Sequence, residues 1–115
     1  MMLAAMKIAV AGGLAFAGIA MPASAEDDPP TFKVHFSNGV VSPSVLEVPA
    51  NTRFKLELYN DGPTAIEFES TPLRKEKVLA PGASSFLIFR SLDVGDYAFF
   101  DDFHADMPPA RITAR

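Results

Sequence analysis

The chain has no cysteine in its 115 residues. That excludes a disulfide, a cysteine nucleophile, a thiolate metal ligand and a lipidated N-terminal cysteine. Basic residues are the minority, with ten Lys and Arg against fourteen Asp and Glu and a formal charge of −4. This balance argues against nucleic acid as a partner. It is compatible with binding cations or docking on a basic protein face. No segment keeps a helical period for three turns. No glycine-rich phosphate loop follows a strand, and no serine sits in a Gly-x-Ser-x-Gly turn. Internal repeats and low-complexity tracts are also missing.

The N-terminus has the pattern of an export signal. Met1 to Lys7 carries one positive charge, and Ile8 to Ala20 is an unbroken small and apolar run. Met21-Pro22 ends that run, and Ala23-Ser24-Ala25 places small residues at −3 and −1 of a cleavage site. The run is too short to span a bilayer stably. The expectation is a secretory signal peptide over 1–25, cleaved after Ala25, with no membrane anchor left and a periplasmic product. An uncleaved anchor is the competing reading. A single domain over 26–115 remains, large enough for one modest core. Losing Lys7 makes its formal charge −5.

The remaining residues alternate in short runs separated by turn signals. Phe32, Val34 and Phe36 alternate with Lys33, His35 and Ser37 before Asn38-Gly39. Val45 to Val48 ends at Pro49. Phe54, Leu56 and Leu58 alternate with Lys55, Glu57 and Tyr59 before Asn60-Asp61-Gly62-Pro63. Ala65 to Glu69, Ser85 to Arg90, Tyr97 to Phe100 and Ala110 to Ala114 read as further strands. Pro72 to Lys77 reads as polar and irregular, with room for one helical turn. Seven to eight strands at this spacing predict an all-β Greek-key β-sandwich.

Several side chains could carry chemistry. Glu67 and Glu69 are two apart on a strand, so both point to one face, roughly 7 Å apart. Ile66 and Phe68 point to the other face. A cation between the carboxylates, or a proton on one, would relieve their repulsion. A solvated strand face is the alternative. A glycosidase couple would need a sugar cleft, for which so small a sandwich has little room. His104 lies in a loop with Asp101, Asp102 and Asp106, a donor set suited to transition metals. Asp101 shares strand parity with Tyr97 and Phe99 and should point inward with them, whereas Asp102 should point the other way. Met107 is either a soft, weak ligand or a cover on the apolar end of the barrel. His35 has outward parity, as a surface histidine or as part of a second, surface metal site. Arg74-Lys75-Glu76-Lys77, the one basic cluster, is a solvated loop or a docking patch.

The order of these fragments resembles the cupredoxin superfamily from about Thr31 onward. Pro43-Ser44-Val45-Leu46-Glu47-Val48-Pro49-Ala50 is similar to the opening P-x-x-L-x-V-P-A-G of that family, with Asn51 in place of the glycine. Asn60-Asp61-Gly62 resembles its N-x-G turn, and Pro81-Gly82 and Gly95-x-Tyr97 match later turns. Tyr97-Ala98-Phe99-Phe100 resembles the aromatic lead-in to the family's copper loop. On that alignment Glu67 falls at the first histidine ligand, Asp101 at the cysteine, His104 at the second histidine and Met107 near the methionine. The resemblance implies a metal site at Glu67, Asp101 and His104 with Met107 as a weak axial contact; Glu69 comes next, and Asp102 and His35 stand as further candidates from the residues alone. Without a thiolate the site would not be blue, and its carboxylates favour Cu(II) or Fe(III) over Cu(I).

Glu67-Phe68-Glu69-Ser70 and Phe100-Asp101-Asp102-Phe103-His104 resemble one subgroup still more. These are the periplasmic cupredoxin-like proteins that accompany bacterial high-affinity iron permeases. The resemblance implies copper and/or iron as cofactor. It implies a role in iron uptake and an iron permease or another periplasmic metal-binding protein as partner. The chain would be a metal-binding or electron-transfer protein rather than an enzyme, with Fe(II) oxidation as its one candidate reaction. Two alternatives stand beside this reading: a copper carrier without redox turnover, and a metal-free binding module.

Overall fold

The structure is a computed structural model that describes residues 28–115. The expected signal peptide lies outside the described residues. Nine strands follow in order: β1 (Thr31–Ser37), β2 (Val40–Ser42), β3 (Val45–Val48), β4 (Phe54–Asn60), β5 (Ile66–Ser70), β6 (Lys75–Leu79), β7 (Ser84–Phe89), β8 (Gly95–Asp101) and β9 (Ala110–Ala114). They form two sheets, ordered β2-β1-β4-β7 and β3-β9-β8-β5-β6. The pairs β1–β4 and β3–β9 are parallel, and the remaining pairs are antiparallel. Parallel neighbours require the chain to cross between sheets, which gives the expected sandwich its Greek-key character. Among the described residues no helix is long and apolar enough to cross a membrane.

The alternation read from the sequence is the alternation of the core. Val34, Phe36, Phe54, Leu56, Leu58, Ile66, Phe68, Phe99 and Ile112 are fully buried on inner faces. Phe54 stacks on Phe89 at 4.9 Å, and Phe68 on Phe99 at 5.0 Å. Burying each such ring contributes about 1.5–3 kcal/mol. Those stacks tie β4 to β7 and β5 to β8, and β5 and β8 carry Glu67, Glu69 and Asp101.

Two strands depart from the expectation. β2 is short and forms the return arm of a hairpin with β1 through Asn38-Gly39, both at positive φ. β6 occupies Lys75–Leu79, where part of an irregular segment was expected. Its alternation is hidden because Lys75 and Lys77 share the inner parity of Leu79, the only buried residue of the strand, while the apolar Val78 faces outward beside Glu76. Pairing with β5, rather than propensity, makes it a strand. The turn before it closes on Arg74 at φ 57.

Candidate metal centre

Three connections converge at one end of the sandwich: the β1–β2 turn, the β4–β5 loop, and the segment from β8 to β9. Asn60, 1 % exposed, holds the β4–β5 loop in place. Its Nδ2 donates to the carbonyls of Thr64 at 2.8 Å and Ala80 at 3.1 Å, and its Oδ1 accepts the Gly62 N–H at 3.0 Å. A β-carbon on Gly62 would lie 2.9 Å from the Asn38 backbone nitrogen, so this loop can meet the β1–β2 turn only as glycine. Gly39, at φ 92, gives the same clearance to the last loop. A β-carbon there would lie 3.0 Å from Met107 Cγ and 3.2 Å from His104 Cβ.

Asp101 closes β8 with its carboxylate inside, on the parity expected from Tyr97 and Phe99. Its side chain is 1 % exposed. Both oxygens have partners. Oδ1 accepts the backbone N–H of Glu67 at 3.0 Å and of Phe103 at 3.1 Å, the second capping a single 3-10 turn over Asp102–His104. Oδ2 lies 2.7 Å from His104 Nδ1. A carboxylate only accepts, so Nδ1 is the donor of this pair, and Nε2 is the ring nitrogen turned toward the surface. Nε2 lies 3.4 Å from the Thr64 hydroxyl, at the surface. The His104 side chain is 23 % exposed. Met107 packs over Gly39 beside it and is 37 % exposed.

Glu67 and Glu69 point the other way. On β5 the residues Ile66, Phe68 and Ser70 are buried, and the two glutamates lie half-buried on the outer face. Glu69 is directly opposite Glu76 of β6. Glu67, Glu69 and Glu76 form the one trio of Asp, Glu or His, among the described residues, whose ligating atoms all lie within 4.8 Å of one another. Loss of water raises the Glu67 carboxyl above its ordinary value of 4.5, and hydrogen bonding to Glu76 adds to this, with the charges of Glu76, Asp102 and Glu69 acting in the same direction. The Glu69 carboxyl is raised by burial first and then by the charges of Glu76 and Asp102. Asp102 therefore belongs to this outer acidic face.

The expected ligands thus separate into two groups. Asp101, His104 and Met107 lie at the end of the sandwich, and Glu67 and Glu69 lie on the face of its second sheet. Glu67 meets Asp101 through its backbone N–H and not through its carboxylate. His35 is in neither group. Its Nδ1 is 2.7 Å from Asp61 Oδ2, and its ring stacks on Tyr59 at 4.7 Å. Glu76 was not among the expected donors. The signal for it was the short Thr71-Pro72-Leu73-Arg74 connection, which folds β6 back antiparallel onto β5.

A family profile for the cupredoxin-like domain matches residues 8–114. The chain belongs to the cupredoxin-like domain family. Solved structures share the fold at low identity. Auracyanin B superposes with a TM-score of 0.65 and 17 % identity, over 76 % of this chain and 90 % of its own. A purple cupredoxin from Nitrosopumilus maritimus gives 0.56 and 18 %, over 72 % and 98 %. The metal-binding domain of the Cu(I)-exporting P-type ATPase of Streptococcus pneumoniae, solved with Cu(I), gives 0.64 and 10 %, over 74 % and 84 %. An uncharacterized protein of Rickettsia prowazekii (strain Madrid E) is 41 % identical over 64 residues, 56 % of this chain. Those residues are 51 % of that protein, so the match spans about half its length.

Proposed function

We propose that this cupredoxin-like chain is an exported metal-binding protein that takes Cu(II) and/or iron at the Asp101–His104 end of the sandwich and serves iron uptake. The 2.7 Å pair between His104 Nδ1 and Asp101 Oδ2 carries the reading. A nitrogen and an oxygen donor meet there through a single shared hydrogen, in a place fixed by two backbone N–H bonds. The donor set fits: imidazole and carboxylate suit Cu(II) and Fe(III), and no thiolate is present to favour Cu(I) or give a blue centre. Bound there, the ion would supply a Lewis-acidic or one-electron centre.

The chain's own residues do the rest. Without an ion, Asp101 Oδ2 fixes the imidazole plane by accepting from His104 Nδ1; with one, those two atoms would be the donors and their shared hydrogen would be given up. Thr64, Gly39 and Met107 border His104 and leave its edge open to solvent. Asp101, His104 and Met107 together offer fewer donors than a closed four-ligand site, so a bound ion would keep exchangeable positions. Glu67, Glu69 and Glu76 supply only hard oxygen donors on the neighbouring face, a set that favours Fe(III) over copper.

The periplasm, an iron permease or a second periplasmic metal protein as partner, and Fe(II) oxidation belong to the same proposal. The resemblance of the Glu67–Ser70 and Phe100–His104 segments to iron-uptake companions supports them. The fold neighbour solved with Cu(I) supports copper as the metal. A copper carrier without redox turnover uses the same residues, and a reversible potential near the iron couple distinguishes the two.

The test is a thermal melt of residues 26–115 with Cu(II), Fe(II) or Fe(III) added. An ion that binds only the folded state must raise the melting temperature. The expected rise with Cu(II) disappears in His104→Ala, and that complex is pale rather than blue. Equal melting temperatures with and without each metal would remove the proposal and leave a metal-free binding module.

A further inference from the structure

An edge strand carries a row of backbone groups without partners. Proteins blunt such edges with short strands, charges or proline. Among the described residues the two sheets end in β2, β7, β3 and β6. β2 has three residues. β3 carries Glu47 and runs into Pro49. β6 carries Lys75, Glu76 and Lys77. β7 reads Ser84-Ser85-Phe86-Leu87-Ile88-Phe89, with six residues, no charge and no proline. It alone has none of these protections.

The hydrogen bonds of β4 show which groups on β7 are free. Lys55 N donates to Pro30 O and Asp61 N to Phe36 O, both toward β1, whereas Asn60 N donates to Ala83 O, toward β7. Backbone groups alternate sides along a strand. Odd-numbered residues of β4 therefore bond to β1, and even-numbered ones to β7. In the observed register Leu56, Leu58 and Phe54 face Leu87, Ser85 and Phe89, so those three residues of β7 are paired. The N–H and C=O groups of Ser84, Phe86 and Ile88 point to the open edge. Their side chains share the outer face with Tyr59, Glu57 and Lys55, and Phe86 is 52 % exposed.

The geometry points to a homodimer in which β7 pairs antiparallel with β7 of a second copy about a two-fold axis through Phe86. Phe86 lies opposite Phe86, and Ser84 opposite Ile88 in both directions. Each of these is a hydrogen-bonded pair, so about six bonds form and every free group on the strand is used. The outer faces of the two copies are continuous. A slip of one residue would set outer against inner side chains, and a slip of two would leave an edge residue without an opposite number. The arrangement is self-complementary, as a closed two-fold contact requires. It covers both exposed Phe86 rings with an aromatic cross-strand pair and brings no like charges on β7 together. Ser84 lies at the His104 end of the strand, beside Tyr59, so the two metal ends face opposite directions and both stay open.

The experiment is light scattering on residues 26–115 over a wide concentration range, with amide hydrogen exchange on the same samples. Twice the monomer mass is expected at high concentration. The amides of Ser84, Phe86 and Ile88 should gain protection with concentration, while those of Ser85, Leu87 and Phe89 stay protected throughout. Phe86→Lys should be monomeric. Val78→Lys on the β6 edge, where Val78 is 57 % exposed, should dimerise as the parent does. A monomer at every concentration, a dimer that Phe86→Lys retains, or one that Val78→Lys abolishes would overturn the proposal. So would protection of those three amides by a foreign strand alone. The exchange pattern of the unaltered chain decides the matter even if Phe86→Lys fails to fold.

Discussion

Replacing Asp101 by alanine should cost far more than a typical surface substitution, and the structure sets the size of the loss. The side chain is 1 % exposed and accepts three hydrogens, from Glu67 N, Phe103 N and His104 Nδ1. A donor left unsatisfied in a buried place costs about 1–3 kcal/mol. His104 is near enough to solvent to find water, so the two backbone N–H groups dominate. With the vacated volume, the expected loss for Asp101→Ala is about 3–5 kcal/mol, against a total stability of about 5–15 kcal/mol for a small domain. Asp101→Asn keeps an oxygen for both backbone donors and weakens only the contact to His104, so about 1–2 kcal/mol is expected. Urea unfolding of residues 26–115 measures both, read as a shift in midpoint at unchanged slope. If Asp101→Ala lies within about 1 kcal/mol of the parent, these bonds do not fix the loop, and the argument that Asp101 positions His104 collapses with them.

Other outcomes follow from the same geometry. Tyr59 O–H donates to Glu57 at 2.7 Å and is the main cause that lowers the Glu57 carboxyl below 4.5, with Lys55 helping. That lowering contributes stability above pH 4.5 that is lost as pH falls through the folded value. Tyr59→Phe should shrink this acid-side loss and move the Glu57 carboxyl resonance titration upward; an unmoved titration would discount the bond. Glu67 and Glu69 have the opposite sign. Their raised values contribute stability that is present below pH 4.5 and lost as pH rises through the folded values. Without metal, Glu76→Gln should flatten that loss in pH-dependent unfolding, and a curve parallel to the parent's would mean that Glu76 is not the neighbour responsible. Gly39→Ala adds a β-carbon 3.0 Å from Met107 Cγ at φ 92. It should destabilise by more than about 1 kcal/mol and move the His104 ring resonances, and an unchanged ring spectrum would refute the packing.

Much of the fold was legible because its core strands follow the two-residue period with little interruption. Phe32–Phe36, Phe54–Leu58 and Ile66–Phe68 alternate so cleanly that inner and outer faces, including the inward turn of Asp101, follow from parity alone. β6 was not legible. Its charges mask any period, and it exists because a four-residue connection lays it against β5. The candidate site was legible as a set of residues but not as an arrangement. Alignment to a family pattern put Glu67 beside Asp101 and His104 as a ligand. The pleat puts its carboxylate on the opposite face of the sheet and gives Asp101 its backbone N–H instead.

The sequence by itself therefore determined the all-β sandwich, the absence of a thiolate centre and the inward position of Asp101. Each rests on composition or on a local period of two. Only the tertiary structure decided the partners. It gave both Asp101 oxygens partners, turned His104 so that Nδ1 meets Asp101 and Nε2 meets the Thr64 hydroxyl at the surface, and brought Glu76 to Glu69. It also left Ser84, Phe86 and Ile88 facing an open edge. Those facts depend on which strands become neighbours and in what register, and register is set by contacts between residues far apart in the chain.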